Sequence, residues 1–415
     1  MMASSRSFSV INLYLIFAFC YLIQGAVLAY TTNINKPMLL RSAIDAENLS
    51  TISMFIVLPF LLKIPVAFLV DFLICFKKIN KYQFVIVGYL IFIVASILLI
   101  LTSPQGDMQI FIAGLFLLGF GIAISDTAID GISVDIVKEG LENTVQVVML
   151  ISRAMAIIIF SFLYGYFYDA NRLDLIFVSF LILAIVSVIH LIFFYLKQKN
   201  RRKQVSPVIS NKHFWRMKET FLLCLYGLVF AGIFWGGIEG ISSLLLAENW
   251  GLNSVEIGHS GVARGTGMLI GSSLFGYLDK NLVRRRLYLI GPLLMSIAGA
   301  LMLDSSTVSN YGTYSLLWGV GIGFQMTFFM VLTVRNISID HGTLMVGVVV
   351  FFCNVGYVLG QKFTTRYAID YGTDLMQLCL LIAGLLIFPI GYIVQKSCQY
   401  KNYGGQYEER KFVNT

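Results

Sequence analysis

Four ionisable residues lie inside otherwise apolar runs of this chain: Lys63, Asp126, Asp130 and Arg153. Charges removed from water either neutralise one another or exchange a partner for an incoming proton or solute. Asp126 and Asp130 stand four residues apart, so on a helix they share one face. Lys63 precedes the acid Asp71 by eight residues, ~12 Å at the helical rise, and Asp126 precedes Asp135 by nine, ~13.5 Å. Arg153 lies nine residues into a run that starts near Thr144. All four charges therefore reach one level, about 12–14 Å from one end of their helices. This spacing predicts a mutually neutralising cluster of two acids and two bases. A solute or proton that displaces one partner would couple binding to helix movement. The competing reading is a static ion network that fixes helix register.

The second half of the chain carries fewer such groups. Glu239 lies about eight residues before the end of its run, and Arg264 about nine after the start of the next, so antiparallel packing brings them to similar depth. A Glu239–Arg264 pair is expected, with Arg264 as an anion ligand facing a cavity as the alternative. Gly236, Gly237 and Gly240 around the acid permit a bend. Asp71, Asp135, Asp279 and Arg284 fall at the edges of apolar runs and read as gate or register contacts. Gln24, Gln325 and Asn354 are uncharged candidates for lining a cavity. His190 and His259 sit near helix ends and read as interface residues. The cysteines Cys20, Cys75, Cys224, Cys353, Cys379 and Cys398 show no metal-ligand spacing and read as free thiols.

The elements that must position these groups follow from composition. The chain has 415 residues, 58% hydrophobic and 13% charged, and its mean hydropathy is +0.80. Soluble chains carry about 25% charged residues. A soluble enzyme, a disordered chain, a disulfide scaffold and a nucleic-acid binder are excluded on that ground. Twelve spans of about 20 residues need about 240 apolar positions, close to what the composition supplies. Twelve apolar runs are legible, at roughly 8–30, 50–72, 84–102, 108–136, 144–168, 174–196, 219–246, 255–278, 287–303, 312–335, 343–362 and 374–396. The first has only Arg6 before it and reads as a helix, not a removed signal peptide. The expected fold is an all-α polytopic membrane protein of twelve transmembrane helices in two six-helix halves. The halves are 1–196 and 219–396, with a basic linker at 197–218 and a tail at 397–415.

Basic residues set the orientation. With the N-terminus in the cytoplasm, about 22 of the 30 Lys and Arg fall on the cytoplasmic side and about 5, including Lys36, outside. Both termini are then cytoplasmic, and the net charge of +8 reflects anchoring loops, not an acidic partner. The chain also looks doubled. Asp71 is followed by Lys77, Lys78 and Lys81, and Asp279 by Arg284, Arg285 and Arg286, half a chain later. Parallel repeats of this kind are a transporter architecture. Small residues recur at spacing four in Gly261/Gly265, Gly267/Gly271, Gly319/Gly323 and Gly356/Gly360, as close helix packing requires.

These residues carry a family resemblance. The run Leu58-Pro59-Phe60-Leu61-Leu62-Lys63-Ile64-Pro65, continuing to Asp71, resembles the "LP-x-x-x-K … P … D" segment of the AmpG-like branch of the major facilitator superfamily. That branch holds muropeptide permeases, acetyl-CoA transporters and rhizobactin/pyochelin-type siderophore importers. Ser125-Asp126-Thr127-Ala128-Ile129-Asp130-Gly131, ending at Asp135, is similar to its "QD-I-A-x-DG" signature, with Ser125 where the signature has Gln. Gln24-Gly25 resembles its "QG" pair, without the following Pro, and Arg153 matches a helix-5 arginine of the muropeptide permeases. The likeness is concentrated in residues 20–160.

The resemblance implies a secondary transporter that alternates access to a central cavity. The best-fitting activity is proton-coupled import of an organic solute, siderophore-like, across a bacterial inner membrane. Its partners are then the solute, protons and lipid. A monomer is expected, with no cofactor, metal or nucleic acid. Muropeptide or acetyl-CoA transport, export, and a non-transporting assembly factor on the same fold remain open. A membrane-embedded enzyme is disfavoured, because no nucleophile or metal-ligand constellation is legible.

Overall fold

The computed structural model describes residues 2–41, 52, 55–75, 80–104, 106–135, 142–199, 217–244, 253–282, 289–336, 342–371 and 374–399. All regular structure among them is helical, and it resolves into twelve helices. Helix α1 runs Met2–Tyr30 and continues through a π-helical stretch, Thr31–Asn35, into Lys36–Arg41. Helix α2 opens as a 3₁₀ turn, Leu58–Leu62, and becomes α-helical over Lys63–Cys75. Then follow α3 (Lys81–Leu101), α4 (Met108–Asp135), α5 (Glu142–Asp169) and α6 (Leu173–Lys199). Helix α7 is Met217–Val229, a π-helical Phe230–Gly237 and Ile238–Leu244. The remaining five are α8 (Ser254–Leu282), α9 (Ile290–Leu303), α10 (Val308–Asn336), α11 (Gly342–Tyr371) and α12 (Asp374–Gln399).

Eight of these helices are long and apolar enough to cross a membrane. Their outward faces are apolar as well. On α3, Val87, Leu90, Val94, Ile97 and Leu101 are exposed, while Val85, Tyr89, Phe92 and Ala95 are buried. A helix that is apolar all round suits lipid on one side and protein on the other. The protein is therefore a multi-pass membrane protein.

The doubling is visible in the pairing. Within the first half α1 packs on α5 and α6, α2 on α4, and α3 on α4 and α6. Each contact recurs six helices later: α7 on α11 and α12, α8 on α10, and α9 on α10 and α12. Two long seams join the halves, α2 with α11 and α5 with α8, and these are related by the same offset. The spaced glycines sit on such contacts. Gly267 and Gly271 of α8 face α10 at Leu316 and Val320, Gly319 and Gly323 of α10 face α8 at Arg264 and Met268, and Gly356 and Gly360 of α11 meet α7 at Leu228 and Gly232. A Cβ at these positions would land on the opposing backbone, so only glycine permits this approach in lipid, where packing drives helix association.

Both ends of the bundle are bridged across the halves. At the end where the basic residues gather, Asp71 Oδ2 on α2 accepts the Leu344 N–H at the start of α11, at 2.9 Å. At the far end Asp169 on α5 accepts the Ser254 and Val255 N–H groups at the start of α8, at 3.3 and 3.2 Å. In each case a carboxylate meets the unsatisfied donors and positive dipole end of a helix from the other half.

Candidate functional site

A cavity of about 130 Å³ lies between the halves. Ligand pockets usually measure about 300–1,000 Å³, so this cavity is contracted, in keeping with bridges at both ends. Its charged wall is built by α1, α2, α4 and α5. Lys63 stands where the 3₁₀ turn of α2 hands over to the α-helix. Pro59 begins that turn and Pro65 lies in the first turn of the α-helix, positions where a missing N–H is tolerated. On α4 the hydroxyls of Ser125, Thr127 and Ser133 bond back to carbonyls of their own helix, at 3.0, 2.6 and 2.7 Å. Their polarity is thus used locally, which leaves Asp126 and Asp130 as the polar groups presented to the cavity.

The Lys63 ammonium joins both acids. Its Nζ lies 2.9 Å from Asp130 Oδ2 and touches Asp126 Oδ2, and the three side chains are 1–8% exposed. Tyr21 Oη on α1 donates to Asp130 Oδ1 at 3.4 Å. Gln24 stands between the acids and the second base: its amide donates to Asp126 Oδ1, and its carbonyl accepts from Arg153 Nη2. Arg153 also lies over the Tyr21 ring, 4.7 Å from its centroid. Gly25 makes this bridge possible, because a Cβ there would meet the Arg153 carbonyl of α5. The expected four-charge cluster thus takes the form of a Lys63–Asp126–Asp130 triad, with Arg153 attached through Gln24. No carboxylate lies within ion-pair distance of Arg153 among the described residues.

Glu239 and Arg264 meet nearer the far end, with Nη1 3.5 Å from Oε1. Arg264 does not line the cavity. Its Nη2 donates to Thr32 Oγ1 at 2.6 Å and Asn33 Oδ1 at 3.3 Å, in the π-helical stretch of α1. Lys36 joins them. The sequence placed it in an outer loop, but α1 continues through it as helix. It is 2% exposed, and its Nζ donates to the carbonyls of Gly240 at 2.9 Å and Glu239 at 3.3 Å. The ends of α1 and α7 are therefore clasped by two buried cations and one acid. Tyr357 connects this clasp to the cavity, which it lines: its hydroxyl donates to Glu239 Oε2 at 2.6 Å.

The other candidates divide. Asn354 lines the cavity and donates to the Phe60 carbonyl at 3.3 Å. Gln325 does not line it. Helical rotation turns it toward α9, where it packs on Gly291 and bonds to Tyr226, and puts Met326, Phe329 and Met330 on the cavity side instead. Asp71 holds a backbone N–H of the other half, because the start of α11 offers unsatisfied donors there. Asp135 accepts from Lys81 Nζ at 2.9 Å. The Asp279 side chain and Arg284 lie outside the described residues. Sequence reasoning did not single out Tyr21, Lys36, Trp235 or Tyr357. Their only available signal is polarity within an apolar run, which does not say which way a side chain faces.

A family model described as Major Facilitator Superfamily matches residues 9–361. No curated protein matches the sequence. Among solved structures, the fold is similar to the crystal structure of the human organic anion transporter MFSD10 (TETRAN). The two are 12% identical, with a TM-score of 0.68 over 92% of this chain and 98% of that one. At that identity the likeness speaks for the fold alone.

Proposed function

This chain belongs to the Major Facilitator Superfamily and is a secondary transporter, and from that premise we propose that it imports an organic solute with protons across a bacterial inner membrane. One observation carries the reading: a single ammonium, Lys63, shared by two buried carboxylates in the wall of the cavity between the halves. Of two acids that share one ammonium, one can take up a proton while the other keeps its ion pair. The groups around the pair are Arg153, Tyr21 and the Cys20 thiol, Tyr89 on α3 and the Cys353 thiol on α11. None of these but Arg153 carries a charge near neutral pH. A proton arriving at Asp126 or Asp130 therefore loosens Lys63 and with it the α2–α4 contact, which adjoins the α2–α11 seam. Solute and proton then favour the same rearrangement, which is what coupling requires.

The orientation follows from the basic residues, with the basic end and both termini in the cytoplasm. The far-end clasp of Lys36, Glu239 and Arg264 is then the outer gate, and the bond from Asp71 of α2 to the start of α11 the inner one. The helix-2, helix-4 and Gln24-Gly25 motifs support placement in the AmpG-like branch, within which we take a siderophore-type solute.

The test is accumulation by proteoliposomes. Under an inward proton gradient, protein-containing vesicles are expected to concentrate one or more ferric siderophores from a radiolabelled panel, and a protonophore should remove the concentration. Accumulation indifferent to the protonophore refutes proton coupling. Efflux under the same gradient refutes import. A chain that moves no solute across the panel and related muropeptides is the assembly-factor outcome.

A further inference from the structure

We propose that the solute is an amphipathic organic carboxylate, held by its carboxylate at Arg153 and Trp235 with its apolar body against α10 and α11; this rests on the transport reading above. The two walls of the cavity differ in kind. The first half contributes the charged groups. The second contributes Met326, Phe329, Met330 and Val350, with Trp235 and Tyr357 edge-on to one another at 5.1 Å. A wholly polar solute would leave that second wall dry and unmatched. A wholly apolar one would strand the first.

The first wall also has a sign. Its acceptors are taken: Asp126 holds Lys63 and Gln24, and Asp130 holds Lys63 and Tyr21. Its donors are not. Arg153 has five N–H groups, and of these one reaches Gln24. On the second wall, Trp235 Nε1 is buried and meets no acceptor. Unmet donors in a cavity wall select an acceptor, and a guanidinium fork selects a carboxylate, which it grips with two parallel bonds. An ammonium would find the acids already engaged and two like charges beside them. The flexible thioethers of Met326 and Met330 tolerate apolar bodies of varied shape.

Charge balance ties this anion to the proton. Lys63 and Arg153 offset Asp126 and Asp130. An anion alone leaves the cavity negative, and a proton alone leaves it positive. One of each restores balance, so each strengthens the other's binding by the same factor.

Calorimetry on purified protein in detergent decides the matter without a gradient. The probes are phenylbutyrate, its amide, phenylbutylamine and acetate. Phenylbutyrate is expected to bind saturably with uptake of about one proton, read from buffers of differing ionisation heat. The amide is expected to bind about tenfold or more weakly, and the amine and acetate not measurably. Arg153→Gln should abolish the acid-over-amide preference. Trp235→Phe, which keeps the ring packing, should weaken the acid severalfold and leave the amide unchanged. If Arg153→Gln does not fold, Trp235→Phe and the native probe ratios still decide. Absent binding by phenylbutyrate, or equal binding of amide or amine, overturns the proposal. Protein that binds the acid but accumulates nothing under a gradient overturns the transport reading alone. Protein that accumulates solute yet shows no acid preference overturns this one alone.

Discussion

Asp130→Asn is expected to abolish concentrative uptake while leaving exchange of solute across the membrane intact. The amide keeps the shape of the carboxyl, and its one oxygen can still accept from Lys63 Nζ, 2.9 Å from the native Oδ2, while its NH2 group replaces the oxygen that Tyr21 Oη meets at 3.4 Å. What it loses is the place for a proton. The cavity is then fixed in the charge state of the protonated protein, so the solute still binds and the halves still exchange. No gradient energy enters, because nothing titrates between the two faces. For a solute carried with one proton, each unit of pH difference drives accumulation by up to about tenfold. In the variant the ratio of internal to external solute should stay at one at any pH difference. Asp126→Asn should do the same, with the added loss of an acceptor for Gln24. Both variants should insert in the membrane in native amounts. Counterflow of preloaded solute and gradient-driven accumulation, measured on the same vesicles, separate coupling from transport. Full accumulation in both variants would falsify the coupling role of the pair.

Lys63→Met should damage the fold more than any other single change at this site. The amine is 1% exposed and is the charged partner of two buried acids. Removing it leaves Asp126 and Asp130 four residues apart on one helix face, with Gln24 and Tyr21 as their hydrogen-bond donors and no direct ion pair among the described residues. Breaking a buried ion pair by deleting one partner typically destabilises by about 3–5 kcal/mol. A lower yield of folded protein and a lower midpoint of thermal denaturation in detergent are expected. A second substitution identifies the cause. In the Lys63→Met background, Asp130→Asn should recover stability, although Asp130→Asn alone removes an acceptor from the native network. Such a sign change in a double-mutant cycle marks direct coupling. Equal stability of Lys63→Met and the native protein would show that the ammonium does not neutralise the acids.

Much of this site is legible in the sequence because depth along a helix is a matter of counting. Lys63, Asp126 and Asp130 could be brought to one level from the helical rise alone, since each is a charge in an apolar run. Rotation is harder to read. Glu239 and Arg264 are level by the same counting, yet whether Arg264 faces the cavity or α1 depends on the turn of α8 against its neighbours. Gln325 is buried where a polar residue suggests function, but its face of α10 belongs to α9. The apolar wall is invisible for a related reason: Met326 and Phe329 read alike whether they meet lipid or solute. Lys36 was misplaced because the polar run Thr31-Thr32-Asn33-Ile34-Asn35 has the composition of a loop. It stays helical because the Thr31 and Thr32 hydroxyls satisfy the Leu28 carbonyl, at 3.0 and 2.8 Å, and because partners for Lys36 lie two hundred residues away.

The π-helical stretches of α1 and α7 have a bearing on how this chain can be lengthened or trimmed. Each occurs near the far end of the first helix of its half. A π turn is an α-helix with an extra residue threaded into it, and one residue is a rotation of about 100°. Beyond Asn35 and Gly237 the helices therefore point their side chains in directions that an uninterrupted α-helix would not. A single-residue deletion within either stretch would leave hydropathy, span length and charge untouched. It would nonetheless swing Lys36 off the Glu239 and Gly240 carbonyls, or Glu239 off Tyr357. Among otherwise similar chains, a gap of one residue at Thr31–Asn35 or Phe230–Gly237 thus marks a different far end, however alike the remaining letters are.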